Sequence, residues 1–475
     1  MLLISVGLIA WLNGNATIIN GGNVSGKWTK ENSPYQVNGH ITVPKGATLE
    51  IEPGVTVAFA NNIGLTINGR LLAEGTKDDN IIFTRQSDSW GGLFFSAPGE
   101  SESIVKYASI KYVYNNDYYS PAYHRGGVHI SGGIVALSNN DISNNTVSHN
   151  NGSSFGGGVS ISGGTVTLND NKISNNQSSS YGGGIYMNKS TVNMYNNIIS
   201  GNSAGSAGGG VYVSNMIANI HNNVISNNKH AASKSGNGGG ISLYNSNSMI
   251  INNTIAYNDA ENGGGMYCSN GSSPVVINNI IYGNTSSVGE QVFVNDNNSA
   301  PKMLYNLNQC DCLGITSGVN YNWEANYDNS NFDSNPQFVN YALQNYRLRE
   351  TSPCINAGIE DVTGLGLPNT DIDGNSRIYG SRIDIGAYEY GAPKVGIESV
   401  TVQQQLMIYP NPSRDGIFQL MTDNNDINWV VYDMKGKQIS QGNIPVVDLS
   451  FQQKGIYVIK VQTGKDIVSA KLVKL

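Results

Sequence analysis

The chain has 475 residues, 57 of them glycine, with 13% charged side chains and a formal net charge of −7. A nucleic-acid-binding face needs a concentrated basic field, and this composition does not supply one. The length allows roughly two to four domains, although a stacked repeat absorbs many residues as one unit because each coil needs only its neighbours.

Residues 2–12 (LLISVGLIAWL) form an apolar run followed by Asn13-Gly14-Asn15-Ala16. The run is shorter than the ~20 residues a membrane-spanning helix needs. It suits the apolar core of a signal peptide, with cleavage near Thr17, so residues 1–16 are predicted to be removed and the mature chain to have no transmembrane span. Its first residues lack the usual Lys or Arg, and a buried first strand is the alternative. Residues 17–125 are read as an N-terminal cap and the first coils. The stretch GKWTKENSPYQVNGHITVPKGATLEIEPGVTVAF alternates apolar and polar residues, with turn signals at Pro44-Lys45-Gly46 and Pro53-Gly54. Such a cap would protect an open strand edge from templating aggregation. Residues 104–125 add a coil with a Tyr-rich loop.

Residues 126–285 hold six repeats that open on glycines: RGGVHIS, FGGGVSIS, YGGGIYMN, AGGGVYVS, NGGGISLY and NGGGMYCS. An Asn-rich turn and a short apolar strand follow each opening, anchored at Ile142, Ile173, Ile199, Ile225, Ile255 and Ile281. A recurring interval of this size marks a stacked repeat. Alternation such as Val159-Ser160-Ile161 has period two and indicates strands; nothing in the repeats has helical spacing. Three short strands per coil predict an all-β parallel β-helix whose coils stack about 4.8 Å apart. The region resembles the right-handed β-helix of the pectin-lyase-like superfamily. Two Asn rows recur, Asn140, Asn171, Asn197, Asn223, Asn253 and Asn279, and Asn145, Asn176, Asn202, Asn228, Asn258 and Asn284. Asn tolerates left-handed backbone and its amides pair from coil to coil, so both rows are read as scaffold. The blocks TLEIEPGVTVAF and SWGGLFFS upstream are similar to the openings of bacterial surface β-helices.

Residues 286–391 are predicted to form the last irregular coils and a C-terminal cap. The stretch TDIDGNSRIYGSRIDIGAYEY (370–390) resembles the terminal block of a Bacteroidetes family of β-helix surface proteins. Read from its residues, Arg377, Arg382 and Asp384 pair within the cap. The alternative is calcium at Asp371, Asp373 and Asn375, oxygen ligands at loop spacing without the full EF-hand pattern. Calcium is the one cofactor this reading leaves open. Residues 392–404 read as a linker, and 405–475 as a small β-sandwich of short alternating strands. That last block resembles the C-terminal sorting domain of the type IX secretion system, through Tyr409-Pro410-Asn411-Pro412, Tyr432-Asp433, Gly436-Lys437 and Gly455-Ile456-Tyr457. The resemblance implies the type IX machinery as partner, and signal-peptide-dependent export to the outer-membrane surface or the medium.

Cys268 occupies an inward position and is expected to be a buried free thiol. Cys354 is expected to bond to Cys310 or Cys312, and the Cys310-x-Cys312 gap is too short for a zinc knuckle. The superfamily resemblance implies a polysaccharide lyase or glycoside hydrolase as one possible activity, which needs a base with a cation, or converging carboxylates. The outward rows His129, Ser160, Tyr186, Tyr212, Ser242, Tyr267 and Ser131, Ser162, Asn188, Ser214, Tyr244, Ser269 contain no carboxylate. Asp141 and Asp170 are read as turn residues, and His129, His149, His221 and His230 share no register, so no catalytic residue is assigned. Tyr186, Tyr212, Tyr244 and Tyr267, with His129, are candidates for a glycan-binding stripe, the alternative being tyrosines that stack only on each other. The predicted function is a non-catalytic exported β-helix that binds polysaccharide or acts in adhesion, with the lyase or hydrolase as the alternative.

Overall fold

The structure is a computed structural model that describes residues 16–96, 101–115, 126–149, 153–231, 236–309, 314–395, 407–409, 413, 415–421, 427–433, 437–463 and 466–474. The proposed signal run at 2–12, Cys310, Cys312 and Pro410–Pro412 lie outside the described residues. The chain divides into two units, Met1–Val395 and Gly396–Leu475.

The first unit is a parallel β-helix. Among the described residues its strands form sheets of 12, 12 and 11 strands, here called A, B and C, and a short sheet D of seven. One turn of the solenoid runs Val211–Ser214 in B, Ala218–His221 in C, Val224–Ser226 in A and Lys229–His230 in D. Like residues stack without slippage, and Ile142, Ile173, Ile199, Ile225, Ile255 and Ile281 follow one another along sheet A. All six are fully buried in a core that extends from Trp28 to Tyr321. Each such side chain contributes roughly 1.5–3 kcal/mol of burial free energy.

The two Asn rows are buried and continuous. Asn171 Nδ2 and its backbone N–H both donate to Asn197 Oδ1 at 3.0 Å, while Nδ2 also donates to the Leu137 carbonyl in the previous coil. The second row repeats the arrangement, with Asn176 on Asn202 and Ile142. The left-handed conformation falls one residue earlier, at Asn139, Asp170, Asn196 and Asn222 before the first row and at Asn144, Asn175 and Asn227 before the second. The turn and the ladder are therefore made by different residues, which the sequence reading had combined. The first row also continues past the glycine repeats, through Asn306 to Asn331.

Four expectations need correction. Among the described residues the first strand is Thr17–Ile19, and residues 26–95 supply strands to sheets A, B and C like any other coil. Proline and glycine turns stand there in place of Asn turns, and the Trp28 and Tyr35 rings stack at 4.4 Å near this end. Coils carry a fourth strand as well, exemplified by Gln177–Ser178 and Ser203–Ala204, two residues being too few to show a period. The block at 370–390 does not close the end of the solenoid. It lies along the outer side of sheet A as a strap, where Asn222 Nδ2 donates to the Thr370 carbonyl, Asn252 Nδ2 to the Asp384 carbonyl and the Gly386 N–H to the Asn278 carbonyl. A second core forms beneath it from Val224, Ala256, Ile280 and Leu307 of sheet A with Tyr346, Cys354, Ile385 and Tyr388. The end of the main core is covered by Tyr321, whose hydroxyl donates to the Pro301 carbonyl. Finally, the buried Arg377 forms its ion pair with Glu389 at 2.8 Å and reaches Asp384 only at the backbone carbonyl, at 3.2 Å, while Arg382 pairs with Glu360. Asp384 instead accepts from the backbone N–H groups of Asn356 and Tyr390.

Cys268 is buried in the main core as expected, whereas Cys354 is a free thiol in the second core and not half of a disulfide. Burial raises the Cys354 thiol to about 12, so it stays protonated.

The second unit has a three-stranded and a four-stranded antiparallel sheet around one core that includes Phe418, Leu420, Trp429, Val431, Val447, Ile459 and Leu472. Tyr457 is buried there, its hydroxyl donating to the Gln453 carbonyl at 2.6 Å, and Gly455 opens the strand Gly455–Thr463.

Candidate functional site

The glycine openings place two rows of side chains on the outer face of sheet B. The residue before each glycine triplet forms one row, Phe155, Tyr181, Ala207, Asn237 and Asn262, which bridge one to the next. The second residue of each strand forms the other, in the register Ser160, Tyr186, Tyr212, Ser242 and Tyr267. The glycines permit this close approach. A Cβ on Gly183 would meet the Gly209 carbonyl oxygen at 2.4 Å, and one on Gly209 the Gly239 carbonyl oxygen at 2.6 Å.

The rows interlock diagonally. Phe155 packs on Tyr186 at 4.7 Å and Tyr181 on Tyr212 at 5.0 Å, while Tyr186 and Tyr212 stack face to face at 5.6 Å. The next diagonal pair is Ala207 with Ser242, both small, and there the aromatic surface stops. It resumes with Tyr267, stacked on Phe293 at 5.6 Å. A cavity of about 540 Å³ opens at the break, between Tyr212 and Tyr267, with Asn237 on one side and Tyr244, Asn270, Asn295 and Asp296 on the other.

Its electrostatics are simple. Among the residues that line it, Asp296 is the single formally charged group. The Asp296 carboxylate already accepts from the backbone N–H groups of Asn270 at 2.5 Å and Asn298 at 3.1 Å and from the Ser299 hydroxyl at 3.0 Å. It is held by its own loop through these bonds. Burial raises the Tyr212 and Tyr267 phenols above their usual range, so both present neutral hydroxyls.

The sequence candidates separate on this map. Tyr212, Tyr244 and Tyr267 line the cavity, and Tyr186 supports it through the stack on Tyr212. His129 does not belong to it. It is buried three coils away, with Nδ1 at 3.1 Å from the Ser160 carbonyl oxygen. Asp141 is ion-paired with Lys111 at 2.6 Å and stands in register with Lys172, while Asp170 holds a left-handed turn. Asp371, Asp373 and Asn375 do not converge as open ligands. The buried Asp371 accepts from the N–H groups of Asp373, Asn375 and Glu389, and Asp373 forms a bidentate pair with Arg347. Among the described residues no group of three or more His, Cys, Asp or Glu side chains could hold a metal ion. The sequence reading missed Ala207, Asn237 and Asp296. The signal for the first two was the residue before each glycine triplet, which changes from aromatic to small or amide at the cavity.

The described residues thus define a parallel β-helix with a tyrosine-lined groove on one sheet, Asp296 its single formal charge, joined in sequence to a β-sandwich. Residues 22–106 match the family of the pectate-lyase like beta helix domain, and residues 407–475 match the secretion system C-terminal sorting domain. The chain thus combines a parallel β-helix, whose residues 22–106 are similar to the pectate-lyase like beta helix domain, with a type IX secretion sorting domain over residues 407–475. That domain marks it for export to the cell surface or for secretion. A 60-residue stretch is 47% identical to part of protein bark beetle of Drosophila melanogaster, covering 13% of this chain and 2% of that protein. A solved pectate lyase, Pel9A, aligns with a TM-score of 0.41 and 15% identity over 79% of this chain and 97% of its own.

Proposed function

We propose that this protein is an exported β-helix that binds glycan chains on sheet B without cleaving them, and acts in adhesion at the cell surface or after release. The observation that carries the reading is the groove in which Tyr212, Tyr244 and Tyr267 stand among Asn and Ser side chains. Tyrosine offers a sugar ring an apolar face and a hydroxyl handle at low conformational cost. Amides and hydroxyls satisfy sugar hydroxyls, which are otherwise costly to desolvate. A cleavage reaction would need a base and a charge-stabilising group facing the same space. The single carboxylate there, Asp296, is occupied by its own loop. The type IX machinery is the partner during export, reached after signal-peptide-dependent transfer to the periplasm.

The test is affinity electrophoresis of the full chain through gels containing individual polysaccharides, with wild type beside a Tyr186→Ala/Tyr212→Ala double variant. Retardation of wild type that the double variant loses is expected. Equal retardation of both proteins on every glycan that wild type binds would overturn the tyrosine assignment.

A further inference from the structure

The break in the aromatic surface is a paired one. The two preceding diagonals are Phe155 with Tyr186 and Tyr181 with Tyr212, at 4.7 and 5.0 Å, so bulky rings are sterically acceptable at both positions of this sheet. One coil later both positions shrink together, to Ala207 and Ser242, and the cavity lies where their rings would have been. A single small residue would leave a gap that its neighbour could fill. Two on one diagonal leave the cavity that both line.

We infer that this double gap is a binding site for one uncharged pyranose ring of a glycan chain, an inference that rests on the glycan-binding reading above. Tyr212 and Tyr267 belong to coils two apart, with Ser242 between them in register. Two coil spacings come to about 9.6 Å. After carbon–carbon contacts of about 3.5–4.0 Å on each face, that leaves the thickness of one puckered ring. The cavity of about 540 Å³ lies within the roughly 300–1,000 Å³ of small-ligand sites. Its rim is built from the amides of Asn237, Asn270 and Asn295, which both donate and accept and so match hydroxyl or acetamido groups.

The charge pattern sets the class of sugar. Among the described residues no Lys, Arg or His lines the cavity, and Asp296 carries their one formal charge. A uronate would bring a second carboxylate beside Asp296 with no cation to offset its desolvation, which is unfavourable on both counts. The site therefore selects neutral chains and excludes acidic ones.

The test fills the gap with what the neighbouring coils already carry. Wild type, Ser242→Tyr and Ala207→Tyr/Ser242→Tyr full-length proteins are run by affinity electrophoresis against hydroxyethylcellulose, galactomannan and polygalacturonate, with circular dichroism melting as the folding control. Ser242→Tyr is the milder variant, since Tyr occupies the same register in three other coils. The expected result is retardation of wild type by at least one neutral polysaccharide and not by polygalacturonate, with affinity reduced at least about tenfold in either folded variant. Undiminished binding by a folded variant would overturn the site while leaving glycan binding itself intact. Retardation of wild type by polygalacturonate alone would overturn the neutral class. No retardation by any of the three would remove the glycan reading and the inference with it.

Discussion

The carboxamide of Asn197 donates through Nδ2 to Oδ1 of Asn223 at 2.9 Å, and both residues are completely buried. Asn223 Oδ1 also takes the Asn197 backbone N–H at 2.9 Å, while its own Nδ2 reaches the Met194 and His221 carbonyls. One side chain thus satisfies donors and acceptors from two coils in a place that water does not reach.

Asn223→Ala is therefore expected to strand several buried polar groups at once. At about 1–3 kcal/mol for each unsatisfied group, the loss is expected to exceed about 3 kcal/mol. Asn193→Ala, at an exposed position of the strand Thr191–Tyr195, is expected to change stability by less than about 0.5 kcal/mol. Urea denaturation followed by circular dichroism separates the two. Equal stability of both variants would show that the ladder is incidental to the fold.

His221 is buried, with Nδ1 at 3.2 Å from the carbonyl oxygen of Gly366, just before the strap, and Nε2 without a hydrogen-bond partner among the described residues. Burial holds its imidazole down at about 4, so the folded chain keeps it neutral. In the unfolded chain it titrates near its ordinary value of about 6.5. The unfolded state thus takes up the proton first as pH falls, and stability is lost between about pH 6.5 and pH 4. Lowering the pH from 7.5 to 5 is expected to cost wild type about 2 kcal/mol more than it costs His221→Phe. The variant also loses the contact with Gly366, but that offset is the same at both pH values. Parallel pH profiles for the two proteins would contradict the assignment.

The Asp371 loop gives a third test. Its carboxylate accepts backbone N–H groups from residues 373, 375 and 389, and Asp373 is held by Arg347. The melting temperature is expected to stay constant on adding EDTA or millimolar calcium, whereas Asp371→Ala is expected to loosen the strap by about 2 kcal/mol or more through stranded N–H groups. A calcium-dependent, saturable rise in melting temperature would restore the ligand reading of Asp371, Asp373 and Asn375.

What the sequence made legible follows from the range of the interactions. The Asn rows and the anchor isoleucines repeat in every coil, so the stacked fold is written many times over. Sheet D was hidden because strands such as Ser203–Ala204 are too short to alternate. The strap was hidden because its contacts, such as Asn222 with Thr370, join residues far apart in sequence. An outward row on sheet A that passes from Lys172 to Ile198, Val224, Thr254 and Ile280 was its one local trace. The cavity was half legible. The tyrosines stood out, but the absence of rings at Ala207 and Ser242 signifies only once the diagonal packing is known.

The most direct measurement follows retention and reaction together. The full-length protein is incubated with a panel of neutral and acidic polysaccharides, with and without calcium. Bound protein is quantified by pull-down, and products by reducing ends and by unsaturated-uronate absorbance. The expected result is retention on at least one polysaccharide, lost in Tyr186→Ala/Tyr212→Ala, with no product formed on any. Product release above the no-enzyme control from any of them would contradict the account and make this groove a catalytic one.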